Sequence, residues 1–106
     1  MPIEDGKEKI VSIQDVYDFI PIDEPDESIR RNVKRLIGTA DVYLKGAIAE
    51  NYPKDDYRAQ QSALLIIKEL YLNNSTTDSM NNNVKKLVDD FCLQLKQEMR
   101  RKNGQG

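Results

Sequence analysis

The sequence has no histidine, no tryptophan, a single cysteine and only five glycines among its 106 residues. Without histidine, neither a Ser-His-Asp triad nor a Cys-His pair can be assembled. The lone Cys92 has no CxxC partner and cannot close an internal disulfide, which suits a reducing compartment. No glycine-rich phosphate loop is present. The acidic run DEPDE places Pro25 where a calcium loop needs its third ligand, and no glycine follows. Long apolar runs are missing too. Five apolar residues in a row, Ala63 to Ile67, fall far short of the roughly 18–20 that span a bilayer. The N-terminal MPIEDGKEKI lacks the basic-then-apolar layout of a signal peptide, so a cytoplasmic chain without membrane contact is expected.

What is present is charge, at 32% of residues, beside 39% hydrophobic ones, the balance of an ordinary folded domain. The charge is unevenly placed. Residues 1–28 carry nine acids against two lysines, a net of −7, while the whole chain is −2, so residues 29–106 net +5. Acids near helix starts and bases near helix ends account for part of this. The polarity also suits head-to-tail contact between copies.

Periodicity predicts an all-α fold, a small bundle of about four helices in one domain over 1–102. Residues 1–10 are expected to be flexible and 103–106 a disordered tail. A first, short helix starts at Ser12, with Val11 and Val16 as a hydrophobic staple around a Ser12/Asp15 capping box, and ends by Ile20 ahead of Pro21. A second helix covers about 25–50, nearly 40 Å by its rise per residue, with Pro25 in its first turn and Tyr52-Pro53 closing it. Its apolar stripe is Ile29, Val33, Leu36, Ile37, Ala40, Leu44, Ala47 and Ile48. Gly38 and Gly46, each costing about 1 kcal/mol in a helix, suggest close approach of another backbone.

A third helix, capped by Asp55 or Asp56, runs to about Leu72 with a stripe of Ala59, Ala63, Leu64, Ile67, Leu70 and Tyr71. Leu65, Ile66 and Leu72 extend its apolar cover around the cylinder. Such a helix must be buried and central. One copy of so small a domain leaves it a strip to be covered by another subunit. Residues 73–83, rich in asparagine, form a polar loop with Met80 as the one candidate core residue. A fourth helix carries Val84, Leu87, Val88, Phe91, Cys92, Leu95 and Met99 on one face and ends in basic residues before Asn103-Gly104.

Candidate chemistry is sparse. Asp55-Asp56 and Asp89-Asp90 are helix neighbours pointing about 100° apart, and the first pair has a capping role, so neither reads as an acid/base couple. Cys92 falls on an apolar stripe and reads as core. No cofactor, metal or catalytic residue is expected. Arg30, Arg31, Lys34 and Arg35 lie off the apolar stripe of the second helix. With Asp26 and Glu27 four residues before Arg30 and Arg31, a self-paired, solvated face is expected rather than a phosphate-binding one. The bases best placed to meet a partner or a second copy are Lys96, Arg100, Arg101 and Lys102, together with Arg30 and Arg31.

Four stretches resemble, in order and spacing, the small phage head–tail connector proteins of the QLRG DNA-packaging type. They are VSIQDVYDFIPIDEPDES (11–28), ADVYLKGAIAENYP (40–53), QSALLIIKELYLNN (61–74) and LVDDFCLQLKQ (87–97). The last is similar to the closing motif of that family, with Gln94-Leu95 kept, Lys96 in place of arginine and Gln97 in place of glycine. The resemblance implies a non-catalytic helical subunit of the virion's head–tail interface, made in the host cytoplasm. It would form a homo-oligomeric ring beneath the portal protein, extend the DNA channel without sequence-specific binding to the passing DNA, and receive a stopper or tail protein. The asparagine-rich loop and the longer final helix depart from the family pattern. A small helical adaptor or regulator that binds a partner without forming a ring is the competing expectation.

Overall fold

A computed structural model of the protein describes residues 9–74 and 76–105, with the backbone path alone at 103–105. Among the described residues there are four α-helices and no strand, the small all-α bundle that periodicity predicts. They are α1 (Ile13–Phe19), α2 (Glu27–Ala47), α3 (Tyr57–Asn73) and α4 (Asn82–Gln105), with a short 3-10 turn at Thr77–Ser79.

Local chemistry sets the boundaries. At the head of α1, the Ser12 hydroxyl accepts from the Asp15 N–H at 3.0 Å and the Asp15 carboxylate accepts from the Ser12 N–H at 2.9 Å. Both orphan donors are thereby satisfied. Val11 and Val16, which flank the box, are buried. Pro21 ends the helix, whose last backbone bond runs from the Ile20 N–H to the Val16 carbonyl.

The second helix begins later than its sequence pattern suggests. Asp26 is its cap, accepting from the Ile29 N–H at 2.8 Å, and Pro25 stands before the cap rather than in the first turn. Glu24 takes a left-handed conformation (φ 47°) to bring the chain round. The far end is early as well, with Ile48 as C-cap, so α2 is about 31 Å long rather than nearly 40. Tyr52-Pro53 lies in the connection beyond. Gly38 and Gly46 face open space, so no backbone approaches there.

Asp56, not Asp55, caps α3, accepting from the Arg58 N–H at 2.8 Å. This helix packs against each of the other three, most extensively against α4 and α2. It is the centre of the bundle, on an arc that keeps Ala59, Ala63, Ile67 and Leu70 of the expected stripe but has Ser62 and Ile66 in place of Leu64 and Tyr71. Ala59, Ser62, Ala63, Ile66, Ile67 and Leu70 are buried, whereas Leu64, Leu65 and Tyr71 are half-buried and Leu72 is exposed. The small residues of its first half allow close helix approach, and the isoleucines and Leu70 fill the second. On α4, Val88, Cys92 and Leu95 are buried, with Val84, Phe91 and Met99 at the margin and Leu87 exposed.

Met80 enters the core from the 73–83 loop, as expected. Ile10 is buried too, so the expectation of a flexible start fails at that residue, while residues 1–8 lie outside the described residues. At the other end the helical path continues through Asn103-Gly104 to Gln105, one turn past the expected stop, leaving only Gly106 outside.

The molecule is a thin slab of 48 × 39 × 19 Å. Its radius of gyration of 14.2 Å exceeds the roughly 13 Å of a compact chain this long. A slab about two helix layers thick cannot enclose every apolar side chain. Val42, Tyr57, Leu72, Leu87 and Leu93 are left at the surface.

Candidate interaction surfaces

Two electrostatic clamps fix the surfaces relative to the core. At the head of α3, Arg58 donates to both carboxylate oxygens of its own cap, Asp56, at 3.1 and 3.0 Å. It also donates to both oxygens of Glu98 on α4, at 2.7 and 2.9 Å. Those hydrogen bonds hold the Asp56 and Glu98 carboxyls below their usual range and raise the already high pKa of Arg58. At the other end of α3, Glu69 accepts from the Asn81 N–H at 3.0 Å. The helices α3 and α4 are therefore antiparallel, and α4 outruns α3 beyond Met99.

The second clamp is Asp41 on α2. It accepts from the Tyr52 hydroxyl at 2.5 Å and lies 3.4 and 3.8 Å from the ammonium groups of Lys45 and Lys54. Burial first, then the bond to Asp41, pushes the Tyr52 pKa far up. This ties the 48–56 connection to α2. Between α2 and α4, Tyr43 donates to Asp89 at 3.3 Å, and Lys85 pairs with the same carboxylate at 3.4 Å. The Cys92 thiol is buried and pushed up to about 11 by desolvation, so it stays protonated near neutral pH.

On one flank, α1 and the first half of α3 enclose an open groove of about 320 Å³. Its apolar wall is Val11, Phe19, Leu64 and the ring of Tyr57, and Asp15 and Asp18 stand along it. Tyr57, in the first turn of α3, is 68% exposed although it is one of the chain's few aromatic residues. The end of α1 is held to α3 by the Lys68 ammonium, 5.5 Å from the Phe19 ring centroid.

On the flank built by α4, Leu93 is 53% exposed. Lys96, Gln97 and Arg100 follow it at i+3, i+4 and i+7, so the four share one outward face. Arg101 and Lys102 are also exposed, where α4 passes the 53–56 connection. Glu98 feels the positive charge of Arg101, and Asp56 that of Lys102.

Arg30, Arg31 and Lys34 are exposed on the first turns of α2. The expected pairing with Asp26 and Glu27 does not occur. Among the described residues no ion pair joins them, and the Asp26 carboxylate is engaged in capping the helix. Arg35 instead donates to Asn32 at 2.6 Å. The two basic groups lie on different helices, and no hydrogen bond or ion pair among the described residues joins them. No group of three or more metal-ligating side chains is gathered among the described residues, and no helix there is long and apolar enough to cross a membrane.

No family model matches this chain, and no curated protein or solved structure does.

Sequence reasoning missed the groove and the two clamps. Tyr57 carried a signal, as an aromatic in the first turn of a helix outside its apolar stripe, and so did Leu93, which stands off the stripe of α4. Arg58 and Glu98 carried none, being 40 residues apart.

Proposed function

We propose that this chain is a structural adaptor of the phage head–tail connector kind, a subunit that rings the portal exit, prolongs the DNA channel and gives a stopper or tail protein its seat. The observation that carries this reading is the order and spacing of the four stretches 11–28, 40–53, 61–74 and 87–97 within one all-α chain. Surface features lend it support. A thin subunit with exposed apolar side chains on separate flanks is compatible with contact on more than one side. The end of α4, beyond the last stripe residue Met99, adds length that the core does not use. On this reading the protein performs no chemical step and needs no cofactor.

The test is sizing by light scattering, with and without the portal protein of the same phage. The expected result is a complex holding several copies of this chain per portal ring. Truncation after Met99 should leave the thermal midpoint nearly unchanged and weaken that complex. A chain that never joins the portal, while capturing a different protein as a one-to-one complex, would replace this reading with that of a helical regulator.

A further inference from the structure

We infer that the acidic groove between α1 and α3 is the seat for a second copy of this chain, which inserts the Leu93 face of its α4. The two surfaces match in kind. The groove has an apolar wall of Phe19, Tyr57 and Leu64 bordered by the carboxylates of Asp15 and Asp18. The α4 face has one apolar residue, Leu93, with the ammonium of Lys96 and the guanidinium of Arg100 on its C-terminal side and Asp89 and Asp90 on its N-terminal side, Asp89 being already engaged by Tyr43 and Lys85. Among the described residues neither acid has an ion-pair partner. Asp15 is bonded to the Ser12 N–H and Asp18 to the Gln14 amide, both uncharged donors. Among the described residues Lys96 and Arg100 have no ion-pair partner.

A single copy cannot satisfy itself in this way. Both α1 and α4 pack on α3, and they have no comparable contact with each other. Because groove and ridge are different surfaces, the contact is heterologous. It repeats from copy to copy and yields a ring or an open filament, not a two-fold dimer. Tyr57 is the natural anchor, since aromatics buried at the centre of an interface carry a large share of its energy. The charges guide approach and register and are weakened by salt. This contact would be the repeating joint of the proposed ring and rests to that extent on the adaptor reading, though its chemistry is argued from the two surfaces alone.

The experiment is sedimentation velocity of the full chain from micromolar to millimolar concentration at low and high salt, without any portal. The wild-type mass should rise with concentration and fall with salt. Asp18→Lys, Tyr57→Ala and the double variant Lys96→Glu/Arg100→Glu should each weaken association about tenfold or more, with unchanged helical circular dichroism. All four side chains are at the surface, and Asp15 is left intact because it caps α1. Equimolar mixing of Asp18→Lys with Lys96→Glu/Arg100→Glu should restore assembly, because each altered groove then meets an altered ridge of opposite charge. A wild-type chain that stays monomeric throughout overturns the inference. So does association that ignores these substitutions, or variants that mixing does not rescue. Self-association through this joint without portal binding would remove the adaptor reading alone. Portal binding with indifferent variants would remove this joint alone.

Discussion

Replacing Ile67 by alanine tests whether α3 is the centre of the molecule. Ile67 is fully buried, at 0% exposure, on the helix that packs against all three others. The change deletes three carbon groups, worth roughly 2.4 kcal/mol at about 0.8 kcal/mol each. The cavity left behind raises the expected loss to about 3–4 kcal/mol, because helices held at both ends by Arg58–Glu98 and Glu69–Asn81 cannot collapse fully into it. Leu64→Ala, three residues earlier, is the internal control. Leu64 is half-buried on the groove wall, so its loss should stay near 1 kcal/mol. Urea unfolding followed by helical circular dichroism measures both, and the slope against urea should stay constant. Equal losses for the two variants, or a loss below about 1 kcal/mol for Ile67→Ala, would refute the placement of the buried arc.

Three further outcomes follow from the same structure. The folded-state pKa values of Asp56 and Glu98 lie below their unfolded values, so the stability they add is complete above the ordinary carboxylate range near pH 4 and is lost as pH falls through the folded values. Arg58→Met should therefore lower the thermal midpoint at pH 7 and do so less at pH 3, and an undiminished gap in acid would contradict the clamp. Ser62 is wholly buried and its hydroxyl has no hydrogen-bond partner among the described residues, so Ser62→Ala should stabilise the fold by about 1 kcal/mol in chemical denaturation; a loss would mean the hydroxyl is bonded after all. Duplex DNA should bind weakly and only at low salt, through the exposed Arg30, Arg31 and Lys34, because a chain of net −2 gathers few phosphate contacts. Fluorescence anisotropy showing salt-resistant, submicromolar binding that Arg30→Ala/Arg31→Ala abolishes would reverse that expectation.

What the sequence made legible was what depends on near neighbours. The Ser12–Asp15 box, the Pro21 stop and the aspartate cap of α3 each rest on side chains within a few positions, and each stands in the structure, as does the stripe of α4 apart from the exposed Leu87. The errors arise where one local signal had two readings. Pro25 suits the first turn of a helix and equally the position before a cap, and the Asp26 carboxylate decides between them. On α3, apolar residues occur at nearly every position, so the period could not say which arc is inward. The contacts with α1, α2 and α4 turned Ile66 in and Leu64 toward the groove. Glycines read as close approaches proved to be surface positions. For Arg30, helix spacing could not show that its expected partner, Asp26, is already engaged as the cap. The groove itself joins residues 11–19 to 57–64, and no local pattern encodes such a meeting.

The position of α3 also governs how the molecule comes apart. Most of the apolar cover of α4 is lent by that single helix, α1 divides its packing evenly between α2 and α3, and α2 meets α3 more extensively than any other helix. A fluctuation that frees α3 removes the largest packing surfaces of both α2 and α4 in one event, leaving only the smaller α1–α2 and α2–α4 contacts to hold a core. Amide protons deep in α2, α3 and α4 should then exchange with one common opening free energy, while those of the α4 overhang exchange early and separately. A neighbour that seats itself against α3 would slow that shared opening everywhere, including in helices it never touches.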